Sequence, residues 1–177
     1  MLARQILLAQ FDRLTRELNE TLADLTTDQL NHRPGNNAMS LGFNAWHVFR
    51  TMDNVVNFVL QRKQPVWLAD GYVDRLELPK NAQGTGMDHD EAKNLTINDP
   101  DVLRDYARAA LASCRDYIAT ASEDDLLEAV AIRPMGEMPR WRALAEIVIS
   151  HSAQHLGEMS MGRGLLGLRG AAEPVAG

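Results

Sequence analysis

Between Leu2 and about Leu25, the residues Leu7, Phe11, Leu14, Leu18, Leu22 and Leu25 recur at steps of three and four, with charged residues between them. That spacing lines them up along one stripe of a helix, and a long helix with one apolar stripe must bury it against partners of the same kind. The partners follow along the chain. After the breaker cluster Arg33-Pro34-Gly35-Asn36-Asn37, Ser40 is placed to cap a second helix running to about Arg62. Asp99-Pro100 opens a third, Asp101 to about Ala121, carrying Leu103, Tyr106, Ala110, Cys114 and Tyr117 on one side. A capped short turn is expected at Ser122 to Leu126 and a connection from Ala129 to Pro139. A fourth helix should run from about Arg140 to Leu166 or Leu168, ahead of a Gly/Ala/Pro tail. Strand signals are absent except at Glu128 to Ile132, and there is no internal repeat. The pattern predicts an all-α four-helix bundle over residues 1–168 as a single domain, with 169–177 as a flexible C-terminal tail.

The segment from Lys63 to Asn98 has no such period. Pro65, Gly71, Pro79, Gly84 and Gly86 punctuate it, and a short helical turn is expected only at Asp90 to Leu95. Irregular stretches of this length are uncommon in compact domains and are usually either functional or disordered. Trp67, Tyr72, Leu76, Leu78 and Met87 give this one apolar anchors, so it is expected to pack over the bundle as a long crossover between helices two and three.

Composition narrows the function classes. The chain has 177 residues, 45% of them hydrophobic and 24% charged, which supplies a core and excludes a disordered chain. The single cysteine, Cys114, excludes an internal disulfide framework. Eighteen Lys and Arg against 24 Asp and Glu give a formal charge of −6, so no net positive field gathers nucleic acid or anionic lipid. No apolar run approaches the roughly 18 residues of a membrane span. The segment Met1 to Leu8 lacks a signal-peptide pattern. The expectation is a cytoplasmic protein acting on a small molecule, with no nucleic-acid or membrane partner and with homodimerisation open.

The fourth helix carries the chemistry. At 100° per residue, Leu144, Ile147, Val148, His151, His155, Glu158, Met159, Gly162, Leu165 and Leu166 share one arc, which would face the core. Imidazoles and a carboxylate buried there without partners would cost several kcal/mol, and a metal ion is the economical way to satisfy them. His151 and His155, four residues apart, have Cβ atoms about 5–6 Å apart on one face and can converge on one cation. Ser152 stands where a His-Glu-x-x-His protease needs its glutamate, so zincin chemistry is excluded, and no Glu-x-x-His occurs, which counts against a ferritin-like di-iron site. For a third ligand His47 on helix two is the best candidate, on a face shared with Phe43, Asn44, Thr51, Asn54 and Phe58, at the edge of the apolar arc. His32 and His89 look solvated.

These residues resemble the DinB superfamily of four-helix-bundle metalloproteins, which includes the YfiT-like proteins and thiol-dependent transferases and isomerases such as the mycothiol-dependent maleylpyruvate isomerase. The resemblance rests on Trp46-His47 followed by Thr51 and Asp53, and on His151-Ser-Ala-Gln-His155-Leu-Gly157-Glu158 continuing into Arg163-Gly-Leu-Leu-Gly167. Gly84-Thr85-Gly86-Met87 with Asp88 and Glu91 also looks like the inter-helix segment of many members. It implies His47, His151 and His155 as ligands of a divalent transition metal, usually taken as zinc or nickel, and for members of known activity a low-molecular-weight thiol. Three neutral imidazoles would leave such an ion with open positions, suited to thiol transfer or to hydrolysis. A non-catalytic metal- or ligand-binding bundle is the alternative. Glu158 fits either a general base or an acceptor that orients an imidazole. Arg50, Arg142 and Arg163 read mainly as solubilising, and Trp46, Trp67 and Trp141 mainly as packing. Cys114 reads as a small buried hydrophobe.

Overall fold

A computed structural model describes residues 2–170. The helices are α1 (Leu2–Leu22), α2 (Thr27–Asn31), α3 (Leu41–Asp53), α4 (Val66–Ala69), α5 (Tyr72–Leu76), α6 (His89–Asn94), α7 (Pro100–Thr120), α8 (Glu123–Leu127), α9 (Arg140–Ala143) and α10 (His151–Leu165). Wide π-type segments extend α3 over Asn54–Leu60 and join α9 to α10 over Leu144–Ser150. The four long elements form the expected bundle, in which α1 packs on α7 and α10, and α3 on the same two helices. Phe11, Leu18, Phe49, Met52, Tyr106, Cys114, Val148 and Met159 are fully buried between them.

The ends of the helices follow local chemistry. Ser40 Oγ accepts from Phe43 N at 3.0 Å to start α3. The Asp99 carboxylate accepts from Asp101 N and Val102 N, with Pro100 in the first helical turn, to start α7. Helix one ends three residues earlier than its stripe suggests. Thr26 and Gln29 form a reciprocal capping box that starts α2, so the chain turns while Leu25 stays buried. The connection expected from Ala129 to Pro139 is an antiparallel hairpin, β1 (Ala129–Ile132) on β2 (Gly136–Pro139), with Val130 opposite Met138. Its alternation is too short to register as a strand pair in sequence, but Val130, Ile132 and Met138 are all buried. The tail expected over 169–177 lies outside the described residues from 171 onward. Its first residue is held, since the Arg169 carbonyl accepts from Arg163 Nε at 2.7 Å.

The crossover packs over the bundle as expected, and it is more ordered than its punctuation implies, with α4, α5 and α6 inside it. Its anchor is Asp53, a fully buried carboxylate at the end of α3. Asp53 accepts from Val66 N and Trp67 N at 2.9 Å, from Asn57 Nδ2 at 2.8 Å and from Tyr106 Oη at 2.9 Å. Four donors on one carboxylate offset the desolvation of its charge. Trp67, held in this way, sits edge-on to Trp46 at 6.5 Å and against Tyr106 at 5.1 Å. The result covers α3 completely, and every residue from Leu41 to Asp53 is buried.

Candidate metal centre

His47, His151 and His155 come together between α3 and α10. His47 is buried, with 7% of its surface exposed, and the other two are half-buried. His47 Nε2 lies 3.0 Å from His151 Nε2, and His155 Nε2 lies 3.2 Å from the same atom. The rings stand nearly perpendicular to one another, with centroids 4.6 to 4.9 Å apart. His32 and His89 are exposed and take no part.

The wide turn over Leu144–Ser150 decides which side of α10 faces inward. His151 N donates to the carbonyl of Glu146, five residues back instead of four. One extra residue rotates the downstream helix by about 100° relative to a continuous α-helix. The sequence-derived arc is corrected accordingly. Met159 and Gly162 are buried as the arc has them, and Ser152, Leu156 and Arg163 are buried as well, whereas the Glu158 side chain is 56% exposed and Leu165 is 59% exposed. His151 and His155 are thereby moved from the centre of the core face to its border with α3. His47, in turn, is not at the edge of an apolar arc, because the crossover buries the whole of α3, and Phe58, placed on its face, is 54% exposed.

Hydrogen bonds fix two of the three rings. His47 Nδ1 donates to the carbonyl of Gln83 in the crossover, with Thr51 Oγ1 3.5 Å away, and Phe43 stacks on the ring at 5.9 Å. His155 Nδ1 donates to Glu158 Oε2 at 2.8 Å. With the proton on Nδ1 in both, each Nε2 presents a lone pair to the third ring. His151 Nδ1 is buried without a hydrogen-bond partner among the described residues. Burial pushes the His151 pKa down to about 4, reinforced by His47 and His155. Burial also holds His47 below its ordinary value, against the opposing pull of the Gln83 carbonyl.

With His151 in the same Nδ1–H tautomer, all three rings aim a lone pair at one point, and this donor set fits a divalent metal. Two nitrogens each about 2.1 Å from a common ion stand roughly 3.0 Å apart at a right angle and 3.4 Å apart at a tetrahedral one. The two contacts at His151 fall in that range. Among the described residues these three are the one group placed to hold an ion, their ligand atoms lying within 4.8 Å of one another. Glu158 is on the far side of His155 from the three Nε2 atoms, where its carboxylate accepts from Nδ1.

Sequence reasoning missed the crossover's part in the site. Gly84 has φ of +96°, and a Cβ there would lie 2.4 Å from His47 Nδ1. Only glycine lets the backbone approach the ring this closely. Arg50 is buried, not solubilising: its Nε donates to the Ala82 carbonyl at 3.2 Å and its guanidinium lies 5.0 Å from the Trp67 ring centre. Arg163 is likewise buried, bound to Asp24 and to the Thr21 and Arg169 carbonyls. The available signal was Arg50 and Asp53, charged residues in the same short helix as His47. Arg142 is exposed and paired with Glu146, and Trp141 is 41% exposed, while Trp46 and Trp67 are core. Burial raises the Cys114 thiol well above its ordinary pKa, which keeps it inert.

A family model described as the DinB superfamily matches residues 10–159. No curated protein sequence matches the chain. Among solved structures, a conserved protein from Enterococcus faecalis superposes with a TM-score of 0.79 at 24% identity, over 91% of this chain and 95% of that one. A variant of the mycothiol-dependent maleylpyruvate isomerase superposes with a TM-score of 0.58 at 13% identity, over 88% of this chain and 59% of the longer enzyme. At these identities the likeness is one of fold.

Proposed function

Because the chain belongs to the DinB superfamily and its three histidine rings meet at their Nε2 atoms, we propose that it is a divalent-metal-dependent enzyme acting on a small molecule, as a thiol-dependent S-transferase or a hydrolase. The observation that carries this reading is the convergence of His47, His151 and His155 with no fourth protein ligand beside them among the described residues. Catalytic sites keep positions open in this way, whereas structural sites close them. Imidazole donors suit zinc or nickel. When bound, the ion supplies a Lewis acid that acidifies a coordinated water or thiol.

The chain's own residues do the positioning. Gln83 holds His47 in the tautomer that leaves Nε2 free, and Glu158 does the same for His155. This supports Glu158 as the residue that orients a ligand ring, with the base role second. Asp53 and Arg50 keep the crossover against α3, and with it the Gln83 carbonyl and Gly84. A thiol as co-substrate is supported by a structural neighbour that is a mycothiol-dependent enzyme. No described helix is long and apolar enough to cross a membrane.

The test is metal analysis of protein purified without a histidine tag, followed by thiol titration of the cobalt-substituted form. About one ion per chain is expected, lost in His151→Ala, with a sulfur-to-cobalt charge-transfer band on adding mycothiol, bacillithiol or glutathione. Full metal retention in His151→Ala would overturn the site. An ion that none of the thiols perturbs leaves a hydrolase, or a non-catalytic ion holding α3 to α10.

A further inference from the structure

Next to the histidines, on the side of His47 that faces the crossover, lies a pocket of about 330 Å³. Thr51 and Gln83 line it, and both touch His47 at Nδ1, so the pocket lies beside the metal centre, on the side of the ring away from Nε2. Its volume lies within the range of small-molecule sites. The charged residues on its walls are two arginines, Arg62 and Arg133, and no Asp or Glu lines it. In a chain with formal charge −6 this is a local inversion of the overall field.

Both arginines are exposed and neither has a carboxylate partner among the described residues, as is also true of Arg16, Arg33 and Arg50, whereas Arg13, Arg75, Arg104, Arg108, Arg115, Arg140, Arg142 and Arg163 are paired. Arg62 also sits at φ of +59°, just past the end of the helix that begins at Leu41. Glycine takes that left-handed position without strain, so an arginine there is unfavourable for the backbone and its side chain has to be explained otherwise. Arg133 is carried to the same pocket by the hairpin, between β1 and β2. Beside them Gln83 Oε1 is buried with no hydrogen-bond donor among the described residues. Two guanidinium groups select an anion, their planar forks match a carboxylate, and the amide oxygen adds an acceptor for an N–H.

We propose that Arg62 and Arg133 form a carboxylate-binding subsite, which holds the acidic end of a small amide-containing ligand beside the three-histidine centre. The assignment does not rest on the metal reading above. It favours peptide-like acids over their neutral esters.

The experiment compares glutathione with its diethyl ester, which keeps the thiol, the amides and the amino group but removes both carboxylates. Affinities are measured by NMR chemical-shift titration on zinc-loaded and on metal-stripped protein. Glutathione is expected to bind about tenfold more tightly than the ester in both forms, against the overall charge of the protein, which disfavours the anion. In the double variant Arg62→Gly/Arg133→Gln the preference should shrink to less than about twofold, with a melting temperature no lower than that of the parent, since glycine relieves the left-handed backbone. Equal affinity for acid and ester in the parent, or a preference that survives in the double variant, overturns the subsite.

Discussion

Replacing Gly84 by alanine tests whether the crossover shapes the metal centre. The new Cβ would stand 2.4 Å from His47 Nδ1 and 2.8 Å from Cγ of the same ring, on backbone with φ of +96°. Left-handed backbone costs an L-residue roughly 1–2 kcal/mol. The collision cannot be relieved by the His47 ring, which is packed against Phe43 and buried in α3, so the loop must retreat. Retreat carries the neighbouring Gln83 carbonyl off Nδ1, and a lost hydrogen bond of this kind costs about 1 kcal/mol. The sum is about 2–3 kcal/mol, which for a domain of this size lowers the melting temperature by roughly 5–10 °C. Freed of its acceptor, His47 can change tautomer and orientation, so zinc affinity should fall about 10–100-fold. Chelator competition gives the affinity, and thermal unfolding of the stripped protein gives the stability. Gly86→Ala is the control: φ is +75° but nothing lies within 4 Å of the added Cβ, so it should lose stability and leave zinc affinity unchanged. Parent-like zinc binding in Gly84→Ala would refute the claim that the crossover holds His47 in place.

Other substitutions separate orientation from chemistry. Glu158→Gln keeps an acceptor for His155 Nδ1 and should hold zinc within about threefold of the parent, while Glu158→Ala should lose about tenfold; equal affinities in chelator competition would show that the carboxylate does not orient the ring. Asp53→Asn turns an amide N–H₂ toward groups that are themselves donors, and should destabilise by about 3 kcal/mol in urea unfolding and expose residues 63–98 to limited proteolysis. Metal-free protein should lose stability as pH falls from the unfolded value near 6.5 toward about 4, because His151 takes up a proton there when unfolded but not when folded. Thermal melts across that window check the sign, and His151→Ala should flatten the slope. Stripping the metal should lower the melting temperature while helical circular dichroism persists, since the bundle's apolar stripes are independent of the ion.

The amino-acid sequence by itself determined the helical architecture and the identity of the converging histidines. Leu7, Phe11, Leu14 and Leu18 need only the helical period to define a buried stripe, and the separation of four between His151 and His155 brings two rings together on any α-helix. Ser40 and Asp99-Pro100 set the helix starts through bonds to residues two or three positions away. These are local relations, and local relations are written in the order of residues. Tertiary structure decided what depends on contacts distant in sequence. The wide turn at Leu144–Ser150 changed the phase of α10, so the arc drawn on an ideal helix placed Glu158 inward when it faces solvent. The burial of Arg50 and Asp53 depends on the crossover lying over α3, and neither residue's neighbours in sequence disclose it. The same is true of Gly84, an ordinary turn glycine until folding brings a histidine from 37 positions earlier against its α-carbon.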